Sequence, residues 1–226
     1  MAELFLDTAN LDDIKTLMAW GIFTGITTNP VIFNNTSNSN SFEHYQKLLK
    51  SYPIPISIQL PDDKIEKLLE LARQFASYGP NAVVKVPMFP DGKGIIIASI
   101  LGKENIKVNI TGVMSAEQFL LPLLANPSPT YISLFFNRIR DSGGDPEKEI
   151  AKARQLIEKQ NLKTKIIVGS IRKSVDVSDA VAAGAHIVTV TPKILFSMVE
   201  HPKSVEFIAL SQTAWDQVFK NGKRKK

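Results

Sequence analysis

The 226-residue sequence contains no cysteine. Disulfides, thiolate metal sites and cysteine nucleophiles are therefore excluded. It also lacks any uncharged apolar run long enough for a membrane-spanning helix. The opening residues, Met1-Ala2-Glu3-Leu4-Phe5-Leu6-Asp7, lack the basic region and cleavage site of a signal peptide. A cytoplasmic chain without membrane association is expected. Histidine is scarce: His44, His186 and His201 have no ligand-like spacing, so no metal site is expected. There is no low-complexity linker and no composition break, so residues 1–226 read as one domain.

Excess charge of one sign is also missing from the body of the chain. The formal net charge is +5, from 27 basic and 22 acidic residues. Five of the basic residues (Lys220, Lys223, Arg224, Lys225 and Lys226) lie in the tail, 220–226. Without them the two signs balance at 22 each. The basic character belongs to a solubilising end, and no nucleic-acid partner is expected.

What is present is an ordinary soluble composition, 44% hydrophobic and 22% charged, patterned as alternating strands and helices. Short β-rich runs fall at 3–7, 25–28, 54–60, 81–86, 107–111, 131–136, 165–169 and 186–190. Amphipathic segments at 12–20, 41–50, 62–77, 115–124, 146–160 and 174–183 lie between them. In 62–77, Ile65, Leu68, Leu69, Ala72 and Phe75 share one face at helical spacing. Strands 81–86 and 165–169 are too apolar for half-exposed antiparallel strands and suit a parallel sheet covered on both faces. Eight such units in this length predict an α/β fold, a single (β/α)8 TIM barrel. An open doubly wound sheet fits less well, because no Gly-rich dinucleotide fingerprint is present. Residues 34–41 read as a polar loop. A further helix over 203–219 follows no barrel strand.

One residue breaks the apolar run Asn81-Ala82-Val83-Val84-Lys85-Val86-Pro87. Burying an ammonium is costly unless it is paired, and the usual escape is a depressed pKa. The resulting neutral amine is a nucleophile suited to Schiff bases with carbonyls. The plainer reading is a lysine whose stem crosses the barrel rim and whose head reaches water. In a (β/α)8 barrel, function gathers where strands end and the following loops begin. Seven of the expected strands close on polar or charged residues: Asp7; Thr28 and Asn29; Gln59; Lys85; Asn109 and Thr111; Arg138, just after Phe135; Ser170 and Arg172. Each has a local role available. Asp7 suits the N-cap of a helix starting near Leu11. Asn29 before Pro30 suits a turn, Arg138 an ion pair with Asp141 or Asp145, and Ser170 a helix cap. Their shared placement around one lysine favours a site.

The residues carrying this pattern match known motifs over nearly the whole chain. They are Phe5-Leu6-Asp7-Thr8-Ala9-Asn10, Gly25-Ile26-Thr27-Thr28-Asn29-Pro30, Val83-Val84-Lys85-Val86-Pro87, Val108-Asn109-Ile110-Thr111, Phe136-Asn137-Arg138 and Gly169-Ser170-Ile171-Arg172. In these the chain resembles the small transaldolases and fructose-6-phosphate aldolases. The resemblance implies a class I aldolase barrel of carbohydrate metabolism and the pentose phosphate pathway, using neither metal nor cofactor. It implies that Lys85 forms the Schiff base and that Asp7 handles the proton at the substrate's C4 hydroxyl. Gln59 and Thr111 would hold a proton-shuttling water. Asn29 and Asn109, with Thr28 and Phe135 beside them, would line the dihydroxyacetone subsite. Arg138, Ser170 and Arg172 would take the phosphate of a sugar-phosphate substrate. It further implies a homo-oligomer, a pentamer or decamer in which the last helix reaches a neighbour.

Two positions set the expected activity. Typical transaldolases carry glutamate where this chain has Gln59, a residue shared with the aldolases. The aldolases carry tyrosine where it has Phe135, the transaldolase choice. A phenyl ring offers no proton to an enamine, so transfer is favoured over hydrolysis and a transaldolase is expected. The alternatives are a fructose-6-phosphate aldolase-like lyase and a catalytically weak sugar-phosphate-binding barrel. Leu134 stands where proline is usual and Phe89 where a small polar residue is usual.

Overall fold

The computed structural model of the protein describes residues 1–34, 41–125 and 127–220. Its strands are β1 (Glu3–Asp7), β2 (Phe23–Thr27), β3 (Ile56–Gln59), β4 (Ala82–Pro87), β5 (Val108–Val113), β6 (Tyr131–Phe135), β7 (Lys165–Gly169) and β8 (Ile187–Val190). They close into one barrel in chain order, all neighbours parallel, with β1 bonded back to β8. The (β/α)8 expectation holds.

The helices are α1 (Leu11–Met18), α2 (Pro30–Asn34), α3 (Ser41–Ser51), α4 (Ile65–Ser77), α5 (Lys93–Lys103), α6 (Ala116–Leu123), α7 (Phe136–Asp141), α8 (Pro146–Lys159), α9 (Ser174–Ala182), α10 (Pro192–Val199) and α11 (Pro202–Trp215). Local chemistry sets several of their starts. Asn10 caps α1 by accepting from the amides of Asp12 and Asp13, so Asp7 is not spent on that role. Asp145 accepts from the Lys148 amide, with Pro146 at the first helical position of α8. Helix α5 is absent from the amphipathic segments named above. Its three consecutive isoleucines and two glycines hide a helical period. Gly94 is required there: a Cβ would lie 2.3 Å from the Pro87 carbonyl oxygen, so only glycine lets α5 start against the end of β4. Of the stretch expected as a loop over 34–41, Asn34 ends α2 and Ser41 starts α3, and 35–40 fall outside the described residues.

Two apolar layers hold the barrel. Between sheet and helices, side chains such as Ile26, Val84, Ile132 and Val188 pack against Leu17, Leu68, Phe119 and Ile157. Each fully buried side chain of this kind contributes about 1.5–3 kcal/mol. Inside the lumen, Phe5, Val83, Tyr131, Ile167 and Ile187 form a separate plug. Phe5 lies edge-on to Tyr131 and fills the space where a Cβ on Gly25 would stand, 2.4 Å from its ring. Alternation along each strand then places Asp7, Lys85, Ser133, Gly169 and Thr189 one step above the plug, on the same inner face. The plug is thus the apolar floor of a polar chamber.

Helix α11 departs from this plan. Every one of its residues is exposed, including Val205, Phe207, Ile208, Leu210 and Trp215. It does not fold back onto its own barrel. A single π turn, Asp216–Lys220, ends the described chain with Val218 and Phe219 also exposed. Among the described residues no helix is long and apolar enough to cross a membrane.

Candidate active site

At the C-terminal end of the strands lies a cavity of about 340 Å³, a small-molecule size. Asp7, Thr27, Asn29, Gln59, Lys85, Ser133, Phe135, Arg138, Ser170 and Thr189 contribute its polar and aromatic lining.

Lys85 stands on β4 between Gln59 of β3 and Asn109 of β5, which are its register partners. It is only 5% exposed. Its Nζ donates to the Thr28 carbonyl oxygen at 3.3 Å. Burial pushes its pKa below that of an ordinary lysine, and the Asp7 charge opposes this without reversing it. Burial likewise pushes the Asp7 carboxyl up, against the pull of Lys85 and of a Thr27 hydrogen bond. Desolvation outweighs attraction at both groups, so the pair is biased towards a neutral amine beside a carboxyl able to exchange a proton.

The side chains around this pair are already ordered. Thr27 Oγ1 donates to Asp7 Oδ1 at 2.7 Å and lies 2.5 Å from Thr189 Oγ1. Thr27 has one hydroxyl proton and spends it on Asp7, so Thr189 donates to Thr27. Ser133 Oγ donates to Asn109 Oδ1 at 2.7 Å, and Asn109 Nδ2 to Ser57 Oγ at 3.3 Å. Asn29 Oδ1 accepts from the Ile32 amide, which starts α2 and leaves the Nδ2 hydrogens for a ligand. Gln59 makes no side-chain hydrogen bond among the described residues. The buried Thr111 hydroxyl has no partner among them either.

Charge at the other end comes from shorter pieces of chain. The Arg138 side chain, on α7, is exposed and makes no hydrogen bond or ion pair among the described residues, while the Asp141 carboxyl is held low by Arg172 first and by the Arg138 charge second. Ser170 follows β7 with a left-handed φ of 59°, which a non-glycine residue holds only when its surroundings impose it.

Of the residues expected from the sequence, Asp7, Asn29, Gln59, Lys85, Phe135, Arg138 and Ser170 meet at this cavity. Four do not line it. The Thr28 hydroxyl points to the other face of the sheet, donating to the Ser57 carbonyl beside Tyr45, and only its carbonyl oxygen reaches Lys85. Asn109 is fully buried and touches the site through Ser133. Thr111 is buried beside Pro87, on the same strand face as Asn109. Arg172 directs its guanidinium to Asp141, with bonds of 2.9 and 2.5 Å on the exposed surface. Thr27, Ser133 and Thr189 were missed. Each is a small hydroxyl residue within a largely apolar strand, and the period of two from Asn29, Phe135 and Ile187 puts all three inside the lumen. Among the described residues, no group of three or more histidine, aspartate or glutamate side chains could hold a metal ion.

Comparison with known proteins is consistent along the chain. Residues 4–225 match the family model described as transaldolase/fructose-6-phosphate aldolase. A probable transaldolase of Thermoplasma acidophilum is 37% identical over 223 residues, covering 98% of each chain. One from Aquifex aeolicus is 35% identical over 200 residues, 88% of this chain and 90% of that one. One from Oceanobacillus iheyensis is 32% identical over 214 residues, 95% of this chain and 98% of that one.

Proposed function

The chain belongs to the transaldolase/fructose-6-phosphate aldolase family of enzymes, and on that premise we propose that it transfers a dihydroxyacetone unit between sugar phosphates through a Schiff base on Lys85. The single observation carrying this reading is a lysine buried on a barrel strand and sharing one chamber with the Asp7 carboxyl, an arrangement whose desolvation favours the neutral amine.

Neutral Lys85 Nζ adds to the C2 carbonyl of a ketose phosphate of the fructose 6-phosphate type. Loss of water leaves an iminium, an electron sink. The Asp7 carboxylate, held by Thr27, takes the proton of the C4 hydroxyl. The C3–C4 bond breaks, its electron pair forms the enamine, and an aldose phosphate leaves. The enamine carbon then attacks the carbonyl carbon of a second aldose phosphate, and Asp7 returns the proton to the new hydroxyl. Water releases the lengthened ketose and frees Lys85. Asn29 Nδ2 and the Ser133–Asn109 pair orient the hydroxyls of the three-carbon unit. Arg138 and Ser170 take the phosphate. Arg172 joins them only by leaving Asp141, an exposed ion pair that water screens. Gln59 and Thr111, both with unspent hydrogen-bonding capacity, hold the water of the dehydration and hydrolysis steps.

Transfer competes with protonation of the enamine, which would make the enzyme a lyase. Gln59 favours the lyase reading and Phe135 the transferase one. Phe135 lines the cavity with a ring that supplies no proton. Wild type should consume fructose 6-phosphate slowly until erythrose 4-phosphate is added. Phe135→Tyr adds a proton donor, worth about 10²–10⁴-fold in such a step, and should release free dihydroxyacetone. Rapid turnover of wild type without acceptor would make the protein an aldolase.

The reading includes a cytoplasmic place in the pentose phosphate pathway and a ring-shaped homo-oligomer. Exposed apolar side chains along the whole of α11 support assembly through that helix. Truncation after Pro202 should lower the sedimenting mass, and an unchanged mass would remove α11 from the interface.

A further inference from the structure

Asp176 is fully buried, yet it lines no part of the cavity. It sits in the first turn of α9 and accepts four hydrogen bonds. Its Oδ2 takes the backbone amides of Arg172 at 3.1 Å and Lys173 at 2.9 Å, together with Asn137 Nδ2 at 2.7 Å. Its Oδ1 takes Arg140 Nη1 at 3.1 Å. Burial pushes its carboxyl up, but these donors outweigh that and leave it below the usual carboxylate range. The charge is therefore kept, and every bond is charge-assisted.

The partners of Asp176 are what connect it to the site. Asn137 also uses Nδ2 to reach the Ser170 carbonyl at 2.9 Å, and its backbone amide points to the same oxygen at 3.3 Å. Both amide hydrogens of Asn137 are thus committed, one to Ser170 and one to Asp176. The turn at Ser170 is gripped at and after its strained residue: its own carbonyl by Asn137, the amides two and three residues on by Asp176. Asn137 also immediately precedes Arg138 in the first turn of α7. One buried carboxylate thereby ties together the two chain segments that bring Ser170 and Arg138 to the cavity.

We propose that Asp176 is the positioning residue for the anion end of the cavity, setting, through Asn137, the spacing of Ser170 and Arg138 that a phosphate monoester requires. This rests on the function proposed above, which places the substrate phosphate between those two groups. Helix α9 alone would be served by an exposed cap, whereas a buried carboxylate reaching into a second loop fixes a distance.

Asp176→Asn and Asn137→Ala test the assignment, with fructose 6-phosphate and unphosphorylated fructose as donors and erythrose 4-phosphate as acceptor. Both variants should lose about 10- to 100-fold in kcat/KM for the phosphorylated donor, mainly through KM. Borohydride trapping of dihydroxyacetone on Lys85 should stay within about twofold of wild type, since the lysine end shares none of these bonds. Asn137→Ala keeps the two amides and Arg140 on Asp176, so it remains informative even if Asp176→Asn folds poorly. Equal losses on both donors, or no loss on either, would overturn the proposal and leave Asp176 a structural residue. A wild type that neither prefers the phosphorylated donor nor traps dihydroxyacetone would instead refute the proposed function.

Discussion

At the lysine end of the cavity, Asp7, Thr27, Lys85 and Thr189 stand on or at the ends of barrel strands, inside the lumen, in contact with one another through hydrogen bonds or charge. At the arginine end, Ser170 lies in a loop and Arg138 on the six-residue α7, its exposed side chain without a hydrogen bond or ion pair among the described residues. The first end is fixed by sheet register, and its electrostatics come from burial. The second is fixed by loops, and its charges face water. Bond-making chemistry needs reacting atoms held within fractions of an ångström, which strands provide. Recognition of a phosphate dianion makes or breaks no bond, so its groups can be carried by loops, held here by the hydrogen bonds of Asn137 and Asp176 rather than by sheet register. Perturbing the two ends should therefore have different signatures.

The largest effect should come from Lys85→Met, which keeps the stem's bulk and removes the amine. All transfer activity should disappear while circular dichroism and Tm stay near wild type. Residual turnover would place the nucleophile elsewhere. Asp7→Asn comes next, with kcat falling by about 10²–10⁴-fold on phosphorylated and unphosphorylated donors alike. A loss confined to one kind of donor would mean that Asp7 binds rather than transfers a proton. At the other end, Arg138→Ala should lower kcat/KM for fructose 6-phosphate by about 10- to 100-fold and scarcely change reaction with unphosphorylated ketoses. Arg172→Ala should show the same selectivity with a smaller loss, since its guanidinium must first leave Asp141. If Arg172→Ala costs as much as Arg138→Ala, the two arginines are equal ligands and the Asp141 pair is incidental.

The smallest expected effect lies away from both ends. His186 Nδ1 accepts the Ile166 amide at 3.1 Å, linking the start of β7 to the residue before β8. Burial, helped by the charges of Arg154 and Lys165, lowers its pKa to about 4. The unfolded chain takes up that proton near pH 6.5. Between these values the unfolded state binds more protons, so stability falls as pH drops from about 6.5 to about 4. Tm should decline by a few degrees, on the order expected for one half-buried group. His186→Gln should show a flatter pH dependence over that window. An identical slope in both proteins would remove His186 as its source.

The same contrast explains what was legible in the sequence. Strands Glu3–Asp7 and Lys165–Gly169 match their expected bounds, and the lysine end was readable because a charge inside Ala82-Val83-Val84-Lys85-Val86 violates the strand's own pattern. Alternation selects Thr27 rather than Thr28 for the lumen, a difference of one residue that reverses the face. Helix α5 was hidden by its all-round apolar composition, since a helix covered on most sides shows no stripe. The arginine end was only half visible. Nothing local tells which carboxylate takes Arg172, and Asp141 lies 31 residues away. Nor does any spacing join Asp176 to Asn137, 39 residues apart and meeting only in the folded barrel.

The central claim is that burial makes Lys85 the nucleophile. The most direct test is incubation with fructose 6-phosphate and borohydride across pH, followed by mass spectrometry of the modified peptide. A single adduct at Lys85 is expected, absent from Lys85→Met. Its rate of formation should persist to pH values well below an ordinary lysine's titration and fall only as the lowered pKa is crossed. An adduct on any other lysine, or a rate that follows an unperturbed amine, would contradict the account.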